Sequence, residues 1–158
     1  MKKLVIMAMV LVLVLAILTI TLIAQPSKDA LQTLKKIDAA VSNAINFINY
    51  THLMAESNST MQEYLSKPTK NQYMYKAIKE AWDFYVLAKE VWTNPMGEAT
   101  RYFYPMAHQS QYDALMKIPG MSQKVTGEAI SVQLLLPIIW STASEKVRLA
   151  SQIAQLSE

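Results

Sequence analysis

Hydrophobic residues occupy this chain first as an unbroken run and then as stripes with helical spacing. Leu4 to Ala24, preceded by Met1-Lys2-Lys3, form 21 consecutive residues without a charge. At about 1.5 Å per residue such a run crosses a bilayer as one helix. Beyond it, Leu31, Leu34, Ile37, Val41, Ala44, Ile45 and Ile48 recur every three or four residues, which places them on one stripe. Ser27 can cap the free amides at the start of that helix, and Asp29 stands in its favourable first turn. The pattern fades through Glu56-Ser57-Asn58-Ser59-Thr60, where short polar side chains compete for backbone hydrogen bonds, and ends before Pro68. The spacing predicts one long helix with a weak point there, or two shorter ones.

Thr69-Lys70-Asn71-Gln72 fits a capping box, so a second helix is expected to begin there. Met74, Ala77, Ile78, Ala81, Tyr85, Ala88 and Trp92 follow at helical spacing, with most charges outside the stripe. Thr93-Asn94-Pro95 stops it, because the residue before a proline is pushed away from helical angles. Pro105 and Pro119-Gly120 bracket a short helix at about 106 to 117. The last helix is expected from near Ser122 almost to the end, on a stripe of Val125, Ala129, Val132, Leu136, Ile139, Ala143, Val147, Ala150 and Ala154, with a kink at Pro137. Its uncharged stretch 129–144 is 16 residues long. That is shorter than the roughly 20 a membrane span needs, so it reads as a buried central helix. No apolar/polar alternation bounded by turn residues suggests hairpins. The fold class is all-α: a single N-terminal transmembrane helix over 1–24, then an antiparallel bundle of about four helices over 25–158.

Two lysines before an apolar run also suit a cleaved export signal. The run exceeds the usual apolar region of roughly 7–15 residues, and Leu22 stands where a small residue is wanted, so a retained anchor is the expectation. The short basic tail favours an inside amino terminus, with the remaining chain extracytoplasmic. The sequence has no cysteine, which excludes disulfides, thiolate metal sites and cysteine nucleophiles. Asn49-Tyr50-Thr51 and Asn58-Ser59-Thr60 are glycan-acceptor triplets of a kind that chance often produces. A net charge of +3, with basic residues scattered among acids, is unlike the dense basic face of a nucleic-acid binder.

The two histidines each have a methionine two positions away, in His52-Leu53-Met54 and Met106-Ala107-His108. Thioether and imidazole ligands suit copper, but residues two apart on a helix point away from one another, so neither pair can chelate alone. No Glu-x-x-His pair, phosphate loop or nucleophile elbow is present, so neither a cofactor nor catalysis is expected. Aromatic residues concentrate in the middle of the chain. Tyr85 and Trp92 fall on the stripe of the second helix, whereas Tyr75 and Phe84 fall off it. Off-stripe rings imply a second covered face, so Tyr75, Phe84, Tyr102, Phe103 and Tyr104 are the candidate interface residues.

These observations lead to one expectation: a non-catalytic, membrane-anchored accessory or structural subunit that acts through helix-mediated protein contacts. Its partners would be the lipid bilayer and a membrane protein or further copies of itself. The alternatives are an extracytoplasmic ligand- or metal-binding helical module, and a filament or envelope structural subunit.

Overall fold

The computed structural model describes residues 27–67, 71–93, 96–125 and 127–156. The uncharged run 4–24 and the capping threonine at 69 lie outside the described residues. Among the described residues no helix is long and apolar enough to cross a membrane. The chain is mostly helical, with five α-helices and few strands among the described residues. They are α1 (27–42), α2 (Phe47–Ser66), α3 (Gln72–Trp92), α4 (Gln109–Met116) and α5 (Val132–Gln155). The two strands, β1 (Tyr102–Phe103) and β2 (Ile130–Ser131), pair antiparallel, with Tyr102 opposite Ser131 and Phe103 opposite Ile130.

The first stripe breaks after Val41, earlier than its fading pattern suggests. The Asn43 side-chain amide donates back to the Ala39 carbonyl at 2.9 Å, and Ala44 adopts a left-handed φ of 55°. The Asn46 carboxamide oxygen then accepts from the Asn49 amide at 2.9 Å and starts α2. The polar run 56–60 stays helical, because Ser57 is buried with its hydroxyl donating to the Leu53 carbonyl at 2.7 Å. Ala44 and Ile48, assigned to the stripe by spacing, are therefore exposed.

The α3 cap is Asn71, which accepts from the Met74 amide at 3.0 Å. Every expected stripe residue from Met74 to Ala88 is buried, and Trp82, Leu87 and Val91 are buried as well. The helix is covered on two sides and forms the centre of the fold. Its alanines 77, 81 and 88 are buried, as are Ala143 and Ala150 of α5, and α3 with α5 makes the most extensive helix pairing. Tyr64 against Tyr75 and Phe47 against Trp92 fix α2 antiparallel to α3, while Glu80 with Lys146 and Trp92 with Trp140 fix α3 antiparallel to α5. The short 43–46 turn folds α2 back along α1, and Lys36 pairs with Glu56 across them at 3.5 Å. One end of this bundle holds the 43–46 turn, the close of α3 and the start of α5. Residue 27 sits at the other end.

The connection from α3 to α5 departs from the all-helical expectation. Its amides at Thr100 and Val132 bond to the carbonyls of Trp92 and Arg101 at 2.8 and 3.0 Å. Pro105–Ala107 forms a single 3-10 turn, and His108 leaves helical angles before α4 starts. The last helix opens at Val132 rather than near Ser122. Gly120 and Gly127, at φ 76° and 112°, redirect the chain around a 3-10 turn at Met121–Gln123, and Ile130 is drawn into the strand pair. Val125 is still buried, from a loop rather than a helix, whereas Ala129 is exposed. The uncharged stretch 129–144 thus supplies β2 and the first half of α5. In α5, Leu135, Leu136, Ile139 and Ala143 face the core and Pro137 faces solvent.

Candidate functional site

Two polar and aromatic clusters tie the helices together. The Tyr85 hydroxyl on α3 donates to Asp38 Oδ1 on α1 at 3.1 Å, and the Ser144 hydroxyl on α5 donates to the same oxygen. Tyr50 on α2 donates to the Tyr85 carbonyl at 2.8 Å. Burial pushes the Tyr85 hydroxyl well above the ordinary tyrosine range, and the neighbouring Asp38 carboxylate pushes it further. Burial also raises Tyr50, although the nearby Trp140 indole N–H, buried without a hydrogen bond of regular geometry, offsets part of that rise. Both phenols are held protonated as donors, which makes this a structural tie among four helices and not a base or nucleophile. Around it Phe47, Tyr50, Trp92 and Trp140 pack with ring centroids 5.5 to 5.9 Å apart. Asp38 is the residue that spacing arguments missed. Its signal was a charge immediately beside the apolar stripe position Ile37.

The residues singled out as interface candidates fall into three places. Tyr75 is half-buried beside Tyr64, with its hydroxyl donating to the Leu65 carbonyl at 3.3 Å. Phe103 is buried and stacks on His108 at 5.7 Å. Its strand neighbours point outward: Tyr102 is 51% exposed and Tyr104 49%, with Met96 and Met106 of the same connection at 86% and 90%. These four are exposed on the connection at the end of the bundle where α3 closes and α5 opens, with the charged Glu98 and Arg101 exposed between Met96 and Tyr102.

Phe84 lies elsewhere, half-buried in a groove where α3, α4 and α5 meet. The groove encloses about 380 Å³, with Phe84, Leu87 and Ala114 as its apolar lining. Its charged lining is Glu80, Asp83, Lys117 and Lys146. Lys146 pairs with Glu80 at 2.7 Å, and Lys79 pairs with Asp83 at 2.7 Å. A second depression of about 530 Å³ continues across the outer face of α3 towards α2, sharing Asp83, Leu87 and Ala114. The groove joins three elements distant in sequence, so only the off-stripe placement of Phe84 hinted at it.

His52 is exposed on α2, and among the described residues no group of three or more histidine, aspartate or glutamate side chains is placed to hold a metal ion. Compared with protein-family models, curated proteins and solved structures, the chain finds no match in any of the three.

Proposed function

We propose that the protein is a non-catalytic, membrane-anchored accessory or structural subunit, which holds its bundle outside the cytoplasm and engages a membrane-protein partner or further copies of itself. The observation that carries this reading is the exposure of four large apolar side chains, Met96, Tyr102, Tyr104 and Met106, on one connection. Exposed tyrosines supply large contact area at low entropic cost, and exposed methionines add adaptable apolar area, the residue types enriched at protein interfaces. Its position gives the reading a geometry. The anchor run ends close to residue 27, α1 then rises about 24 Å over its 16 residues, and these side chains lie at the far end. A contact surface carried away from the bilayer suits a partner with its own extramembrane part.

The test is purification of the full chain from native membranes in a mild detergent. The unaltered protein brings down a partner or further copies at fixed stoichiometry, and a Tyr102→Ser/Tyr104→Ser variant of equal abundance loses them. A lone monomer from both, or an unchanged complex from the variant, overturns the proposal.

A further inference from the structure

We propose that the groove between α3, α4 and α5 is a binding site for a small amphiphilic monocarboxylate, an arylalkanoic acid or similar, with its apolar body on Phe84, Leu87 and Ala114 and its carboxylate at Lys117. This inference stands apart from the contact end and does not depend on it. The volume of about 380 Å³ lies in the range of small-molecule sites, and the mix of apolar lining with a few charged groups is what such sites use.

The charges decide the ligand class. The Glu80 carboxylate is occupied by Lys146 at 2.7 Å and lies 3.8 Å from Lys76, and Asp83 is occupied by Lys79 at 2.7 Å. Asp113, one turn before Lys117, instead accepts from the Gln109 amide at 2.8 Å. Lys117 lines the groove, is exposed, and makes no side-chain ion pair among the described residues. Of the four charged residues that line the groove, Lys146 and Glu80 neutralise one another and Asp83 is neutralised by Lys79 at the rim, which leaves Lys117 as the lining charge open to one negative group. The carboxylates at its edge disfavour a dianion such as a phosphate monoester. A cationic ligand would have to displace lysines from carboxylates that are already satisfied.

The experiment uses the full chain in lipid nanodiscs, with empty nanodiscs as the blank, and 3-(4-fluorophenyl)propionate observed by fluorine NMR line broadening. Saturable broadening above the blank is expected. Lys117→Gln, a surface change that leaves the core intact, should weaken it at least tenfold, and the neutral amide of the same acid should bind at least tenfold more weakly than the acid. Ala114→Trp, which fills the groove, should abolish the signal while thermal unfolding shows the variant folded. No broadening above the blank, equal binding of acid and amide, or unchanged binding by Lys117→Gln overturns the proposal. If Ala114→Trp proves unfolded, the Lys117→Gln and amide comparisons still decide it.

Discussion

Tyr85 and Asp38 stand 47 positions apart in the sequence and meet at 3.1 Å, phenol to carboxylate, joining the first and the third helix. Ser144 adds the fifth helix through the same carboxylate oxygen, and Tyr50 adds the second through the Tyr85 carbonyl. The bundle therefore has a polar lock that joins four of its helices. Tyr85→Phe removes a donor to a charged acceptor and should cost about 1.5–3 kcal/mol in urea unfolding. Asp38→Ala should cost a similar amount. In a double-mutant cycle the pair should couple by about 0.5 kcal/mol or more, because the two changes remove one shared interaction. Additive costs would mean that the contact contributes nothing.

The same lock sets an alkaline limit. Tyr50 and Tyr85 both have folded-state values raised above the ordinary 10.0, mainly by burial. Below pH 10 the phenols are protonated in both states, and their contribution is fully present. As pH rises past 10 the unfolded chain loses those protons while the folded chain keeps them, so stability falls by about 1.4 kcal/mol per pH unit for each tyrosine. Unfolding free energy measured between pH 9 and 11 should show this decline. Tyr85→Phe should make it shallower, and an identical slope in that variant would refute the assignment.

Ala44 holds a left-handed φ of 55° at the turn that ends α1. A side chain makes that conformation costly by about 1–2 kcal/mol, and glycine adopts it freely at some cost in unfolded-state entropy. Ala44→Gly should raise stability by about 0.5–1 kcal/mol, visible as a higher denaturation midpoint with an unchanged slope. Destabilisation would show that the turn is held in another way.

Trp92 packs against Phe47, Tyr50 and Trp140, and Phe84 borders an open groove. Trp92→Ala should cost about 3–5 kcal/mol through lost burial and the cavity left behind. Phe84→Ala should cost about 1–2 kcal/mol, since Phe84, half-buried like Trp92, borders the groove without the three ring contacts that hold Trp92. Equal losses at the two sites in thermal unfolding would mean that the groove is closed in solution.

The sequence made long, regular features legible and left short or composite ones hidden. The stripes of α3 and the second half of α5 were readable because each helix repeats its apolar spacing over several turns. The turn at Ala44 was not, because nothing distinguishes an alanine in a left-handed conformation from one inside a helix. β1 and β2 have two residues each, too few to show a period, and the chain between them turns through glycines at 120 and 127 with positive φ. The burial of Trp82 and Leu87, which stand outside the predicted stripe of α3, was not legible, because spacing within one helix does not show what covers its second face. Phe103 was grouped with its neighbours as a contact residue, yet alternation along the strand sends its ring inward and the rings of Tyr102 and Tyr104 outward.

The central claim, contact through the end distant from the anchor, is tested most directly by photo-crosslinking in intact membranes. A photoreactive amino acid at position 104 should yield one discrete adduct, to a partner protein or to a second copy of this chain. The same probe at Glu56, exposed on α2 beside Lys36 of α1, should yield none. Equal adducts from both positions, or an adduct from 56 alone, would contradict the account.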